Sequence, residues 1–259
     1  MRTLPRVRPC FLLLALFFGG LAGGPSVSAD EGGFAVLELF TSQGCSSCPP
    51  ADRILEELAA RGDREQQEIF ALSFHVDYWN QLGWKDPFSA AAYTQRQRLY
   101  AGVLGDNRIY TPQLIVNGRT GFVGSHRRKA DAAVEAALSG SPPRSLKLQV
   151  SIEDDSVTAT TDLQPEEGLL LNVALVQKSG TVKVPRGENA NRTLTHRNIV
   201  RGFEVLRASD KRLTTQLTVP KDMQTAGATV VAYLQVSRTG EIVAARRVPL
   251  ARSEITARQ

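Results

Sequence analysis

The sequence predicts an α/β domain followed by an all-β sandwich. Three observations predict it. A buried strand, a helix and a second buried strand follow one another from residue 34 onward. Beyond residue 143 the apolar period changes from 3.6 to 2. A Gly140-Ser141-Pro142-Pro143 stretch separates the two regimes. Across 259 residues, 42% apolar and 22% charged side chains exclude a disordered, collagen-like or multi-span membrane protein.

Residues 1–29 have the parts of a secretory signal peptide. Arg2, Arg6 and Arg8 precede the apolar run Phe11 to Phe18, and Pro25 precedes the small-residue site Val27-Ser28-Ala29. The run is too short, and too glycine-rich at its end, for a membrane span. Cleavage removes three arginines and leaves a net charge of +2, which gives no footprint for nucleic acid. It also removes Cys10, so Cys45 and Cys48 are the only thiols left. The expected location is the periplasm or the exterior of a bacterium, without a stable membrane anchor, in an oxidising compartment.

Phe34 to Phe40 read as the first strand, entering a turn at Thr41-Ser42-Gln43-Gly44. Pro49 and Pro50 suit a first helical turn, whose N–H groups lack partners anyway. Ala51, Ile54, Leu55 and Leu58 then recur at helical spacing, and Gly62 signals a stop. Ile69 to Val76 is a second buried strand, so strand, helix and strand form a right-handed βαβ unit. Residues 77–110 hold seven of the fourteen aromatic residues beyond residue 29 and read as a helical insertion packed as a lid. Phe88, Ala92, Leu99 and Val103 mark its helix. Thr111-Pro112 leads into a third strand at 113–116, and Asn117-Gly118 turns the chain into a fourth at 121–124. Ser125 is the expected cap of a last helix carrying Ala130, Val134, Ala137 and Leu138. The first domain therefore covers 30–140. Seven alternating segments, at 146–152, 156–162, 169–175, 203–207, 213–219, 230–236 and 242–248, give a sandwich over 144–252.

Cys45-Ser46-Ser47-Cys48 lies between a strand and a helix start. There the macrodipole and free N–H groups stabilise a thiolate. Cys45 is the expected nucleophile and the accessible, more acidic thiol; Cys48 is the expected resolving thiol in disulfide exchange. A structural bridge is the alternative, although so short a loop constrains little of the unfolded chain. The order of CxxC, strand, insertion, Thr-Pro, strand, turn, strand and helix over 34–139 resembles the plan of thioredoxin-like proteins, with an ordinary trans turn at Thr111-Pro112 as the alternative. In that plan Pro112 is cis and Thr111 offers its backbone to substrate. The second strand ends near Cys45, because both parallel strands end at the same sheet edge. Alternation puts Ser73, His75 and Asp77 on one face there, where His75 and Asp77 are candidates for proton transfer or pKa tuning. Glu38, a charge within the first strand, is a further candidate proton acceptor. Lys183, Arg186, Arg192, Arg197 and Arg201 form a basic stretch that reads as a solvated face or a site for an acidic partner.

The stretches GFAVLELFTSQGCSSCPPADRILEELA, LSFHVDYWNQLGWKDPFS, RQRLYAGVLGDNRIYTPQLIVNG and RGENANRTLTHRNIV resemble the bacterial proteins of domain-of-unknown-function family 1223. The resemblance implies a thioredoxin-like N-terminal region, a β-rich C-terminal region, a secretory signal, a redox dithiol at Cys45 and Cys48 and a cis-proline at Pro112. It implies no substrate. The expected function is thiol–disulfide exchange on exported proteins, with no cofactor and with a protein substrate or redox partner. Two other classes stay open. Cys45, Cys48 and His75 offer three ligands to copper or zinc. Alternatively, the sandwich is a binding module on a non-enzymatic scaffold.

Overall fold

Apolar residues fill β1 (Phe34–Thr41), where every side chain is buried. The computed structural model describes residues 32–106, 108–141 and 144–250. The expected signal peptide at 1–29 lies outside these residues. Beside β1 runs β2 (Glu68–His75) in parallel, joined to it through α1 (Pro49–Glu65). The helix does not stop at Gly62. It runs on to a left-handed cap at Gln66, because Gly62 is a packing position: a Cβ there would come within 2.9 Å of Ile69 Cβ. The insertion forms a 3₁₀ turn (Asn80–Leu82) and α2 (Ala91–Val103). Next come β3 (Gln113–Val116), antiparallel to β1, then β4 (Thr120–Val123) and α3 (Arg127–Leu138). His126, not Ser125, caps α3, without a side-chain bond.

All seven strands expected in the second half form: β5 (Gln149–Glu153), β6 (Ser156–Asp162), β7 (Leu169–Lys183), β8 (Thr193–Arg207), β9 (Arg212–Thr218), β10 (Thr229–Val236) and β11 (Ile242–Pro249). Their arrangement differs from a self-contained sandwich. Only β5, β6 and β9 make a separate antiparallel sheet. The others join the first half in one mixed sheet ordered β11-β10-β7-β8-β2-β1-β3-β4. The cause is length. β7 and β8 each run to 15 residues, and the extended β8 reaches β2, pairing Ile199 with Ser73. The described residues all fall in one compact unit.

Side chains alternate across the large sheet. Leu171, Val173 and Leu175 pack toward the small sheet, with Val157, Leu213 and Leu217. Ala174 and Val176 point the other way, into a core shared with Phe40, Phe74, Tyr93 and Tyr233. α1 and α3 cover β1 and β3 through Leu37, Leu39, Leu55, Leu58, Leu114 and Val134.

α2 corrects the expected apolar face. Leu99 is 70% exposed and Val103 37%. The helix instead buries Tyr93, Thr94, Arg96, Gln97 and Tyr100. The reason is Glu38, fully buried on the sheet face below. Arg96 Nε and Nη2 donate to its two carboxylate oxygens at 2.8 and 3.1 Å. Tyr100 and Tyr233 donate to it as well. Arg96 also donates to Asn172 on β7 and Gln235 on β10. Burial would lower the guanidinium's pKa, but Glu38, Tyr100 and Tyr233 together outweigh it and hold it above its ordinary value. Arg96→Met should lower unfolding stability by about 3–5 kcal/mol, because it leaves Glu38 buried and uncompensated. In denaturant titrations the double variant Glu38→Gln/Arg96→Met should recover part of that loss.

Candidate functional site

The CxxC loop follows β1 where its backbone turns, with Cys45 N–H on Ser42 O and Cys48 N–H on Cys45 O, each at 3.2 Å. Cys48 is the N-cap residue of α1, already in the helical region at φ −75° and ψ −40°. Cys45 and Cys48 are joined as a disulfide. Both are fully buried, which corrects the expectation of an accessible Cys45. Ser46 and Ser47 stay exposed between them.

Three segments cover the loop. Trp79 packs so closely on Gly44 that a Cβ there would stand 3.0 Å from Trp79 Cβ, and its indole N–H donates to Thr111 Oγ1 at 2.8 Å. Thr111-Pro112 thus lies behind the same tryptophan, and its peptide bond is cis. Trp84 donates to Gln43 Oε1 at 2.9 Å. The third segment is the 184–192 loop at the tip of the β7–β8 hairpin. Asn189, fully buried, donates from Nδ2 to the carbonyls of Gln43 and Cys45, each at 2.9 Å. Arg192 Nη1 donates to Asn189 Oδ1 at 2.6 Å and fixes the amide's orientation. Glu188 accepts the Ser46 N–H at 2.9 Å, which holds its carboxyl below the usual range. This loop and the Trp79 segment close over the turn that carries the fully buried disulfide.

Behind the disulfide lies a buried polar cluster. His75 Nδ1 stands 2.7 Å from Asp86 Oδ2, which also accepts the Gln43 N–H at 2.9 Å. Burial alone would raise the Asp86 carboxyl; His75 and the backbone donors outweigh it and hold it below its ordinary value. His196 from β8 packs edge-on to His75, with ring centroids 4.6 Å apart. Its Nδ1 is 3.6 Å from Asp52 Oδ2 on the first turn of α1. Burial pushes the Asp52 carboxyl up to about 6, against the opposing field of His75. Burial, helped by His75, pushes His196 down to about 3.

The structure therefore brings His75 to the CxxC loop, through Asp86 and Gln43, but not the other two candidates. Asp77 follows the end of β2 and accepts from Thr94 Oγ1 at 2.5 Å. Glu38 lies on the sheet face under α2 rather than the face under α1, with every donor around it engaged. Among the described residues no three His, Cys, Asp or Glu side chains are grouped to hold a metal ion. Part of the basic stretch is paired within the chain: Arg197 with Glu56 of α1 at 3.1 Å, Arg201 with Asp222 at 2.7 Å and Arg192 with Asn189, while Lys183 and Arg186 are exposed.

Sequence reasoning missed Asp52, Asp86, Asn189 and His196. Asp52 was visible as the residue four after Cys48, a spacing that shares a helix face. His196 and Asn189 sit in the RGENANRTLTHRNIV stretch, whose residues gave no sign of reaching the CxxC without the long hairpin.

Residues 36–235 match the family model described as "Protein of unknown function (DUF1223)". No curated protein matches the chain. Among solved structures it is similar to protein AGR_C_4864 from Agrobacterium tumefaciens, at 29% identity and a TM-score of 0.64, covering 88% of this chain and 99% of that one. It is also similar in fold to HBP35 of Porphyromonas gingivalis, at 16% identity and a TM-score of 0.61, covering 88% and 78% of the two chains.

Asn189→Ala removes two hydrogen bonds across the seal, each worth about 0.5–1.5 kcal/mol. Reduction of the Cys45–Cys48 disulfide by dithiothreitol should then speed up roughly ten-fold. Alkylation and mass measurement over time follow it; an unchanged rate in a folded variant contradicts the seal.

Proposed function

Because the chain belongs to the DUF1223 family, whose description assigns no activity, its chemistry has to be read from the site, and we propose that it is an exported thiol–disulfide oxidoreductase. The observation that carries the reading is the Cys45–Cys48 pair itself: two cysteines three positions apart, bonded to each other at the N-terminus of a 17-residue helix. A bridge this short does little for stability. At a helix N-terminus the reduced thiol gains from the macrodipole, so the position favours chemistry over stapling.

The order β1, CxxC, α1, parallel β2, insertion, β3, β4 and α3 supports a thioredoxin-like arrangement for residues 34–139. In this reading Cys45 attacks a substrate disulfide, Cys48 resolves the mixed disulfide, and Thr111-Pro112 lines the entry beside Trp79. The substrate is an exported protein carrying a disulfide or dithiol. The signal-like residues 1–29 support export to the periplasm or beyond. No helix among the described residues is long and apolar enough to cross a membrane. Because the disulfide is fully buried, a partner reaches it only after a covering segment, the 184–192 loop or the Trp79 segment, yields.

Cys48→Ala tests the proposal. It removes the resolving thiol, so substrates should accumulate on Cys45 as mixed disulfides in the exporting cell. Mass spectrometry of non-reduced complexes should find discrete adducts that reductant releases. Adducts no more abundant than in the double variant Cys45→Ala/Cys48→Ala would contradict it.

A further inference from the structure

The outer face of α1 carries three arginines that no carboxylate answers among the described residues. Arg53 and Arg64 are exposed and stand eleven residues apart, close to three helical turns, so they share one side of the helix. Arg61 lies beside them, half-buried, with Nε and Nη2 closed to solvent and without an acceptor. The acids nearby have other partners. Arg127 of α3 holds Glu57 and Asp131, Arg197 of β8 holds Glu56, and Arg247 of β11 holds Asp63.

Two clefts run along this face and share Arg53 and Glu56. One, of about 450 Å³, lies between α1 and α3 and is lined by Arg53, Arg61, Arg64 and Arg127. The other, of about 340 Å³, lies between α1 and β8 and reaches Pro49 and Arg192 at the CxxC end. From Pro49 to Arg64 the helix rises about 22 Å, the length of about six to seven extended residues. A guanidinium N–H shut from water without an acceptor is costly. Turning the two Arg61 nitrogens outward to a carboxylate breaks no hydrogen bond and supplies the missing acceptors.

We propose that the exported partner docks on this face through an extended segment rich in Asp or Glu. The inference rests on the exchange reading of the dithiol and names the partner's chemistry. Carboxylates on alternate residues of such a segment stand about 7 Å apart, so one segment meets Arg64, Arg61 and Arg53 in turn. A small anion would engage one or two of them and leave the rest of the clefts unused.

The segment's leading end then lies against Arg192. There Arg192 Nη1 donates to Asn189 Oδ1 at 2.6 Å, and Asn189 donates to the carbonyls of Gln43 and Cys45. A carboxylate competes well for Arg192, because a hydrogen bond between charged groups is roughly twice as strong as a neutral one. A partner carboxylate in the cleft draws Arg192 away, and the Asn189 amide loses the bond that orients it. Docking thereby loosens the 184–192 loop over the disulfide that the partner has to reach.

The test uses the oxidised full chain and a fluorescein-labelled peptide of alternating Glu and Ser, with Gln replacing Glu in its control. By anisotropy at low ionic strength the Glu peptide should bind about ten-fold tighter than the Gln peptide or better, and the preference should shrink as salt rises. Arg61→Glu/Arg64→Glu should weaken the Glu peptide about ten-fold or more. Arg53→Glu/Arg64→Glu, both exposed, gives the same comparison if the first variant fails to fold. Arg212→Glu/Arg238→Glu, the same charge change on exposed arginines of the second half, should change binding less than about two-fold. Saturating Glu peptide should also speed dithiothreitol reduction of the Cys45–Cys48 disulfide about three-fold or more. Arg192→Ala should be reduced faster than the unmutated protein before any peptide is added, and should gain nothing from it. Equal binding of the two peptides, or binding untouched by the α1 reversals, overturns the docking face. It leaves the exchange reading standing, because the trapping of mixed disulfides on Cys45 tests that reading separately. Inorganic tripolyphosphate bound as tightly as the Glu peptide, with neither speeding reduction, marks a plain anion site and overturns the proposed partner.

Discussion

Glu38 carries a charge in the middle of a strand whose every residue is buried, and Arg96 answers it from the helix above. Removing a carboxylate from water costs several kcal/mol even after relaxation, so such a pair is poor as a source of stability. Its value is geometric. A planar guanidinium that must meet two carboxylate oxygens leaves α2 one position over the sheet. The same guanidinium lies against the rings of Phe74, Tyr100, Phe203 and Tyr233, so four aromatic faces share its charge.

That one group ties the two halves of the chain together. Asn172 on β7, and Tyr233 and Gln235 on β10, all reach the Glu38–Arg96 centre. Once β7 and β10 are docked there, the long β7–β8 hairpin projects across the first half. Its tip meets the CxxC loop through Asn189, and its return strand delivers His196 beside His75. The seal and the buried cluster are thus consequences of a continuous sheet. A self-contained sandwich would leave the disulfide open and His75 alone.

The local elements were legible. Apolar runs and period gave β1, α1, β2 and every strand of the second half, because each buries one face or both against a neighbour. α2 existed where expected but with the wrong face inward, since Arg96 and Gln97 are buried through partners that no periodicity encodes. The sheet order was not legible. Leu169 to Leu175 alternates cleanly, but burial runs on through Val176 and Gln177 and the rest of the strand to Lys183 is mostly polar and at least partly exposed, so the alternation stops eight residues before the strand does. For the site, Cys45, Cys48, His75 and Thr111-Pro112 stood out by local context. Asp52, Asp86, Asn189 and His196 act through contacts made only in the folded chain, most of them long in sequence.

The central claim is that Cys45 and Cys48 exchange electrons with partners rather than staple a turn. The most direct measurement is the midpoint potential of the pair, taken by equilibrating the protein with glutathione or dithiothreitol buffers without oxygen and counting alkylated thiols. The account predicts a reversible two-electron transition between about −270 and −120 mV, the span of dithiol exchange proteins. A disulfide that stays closed below about −300 mV, as structural bridges do, would contradict it.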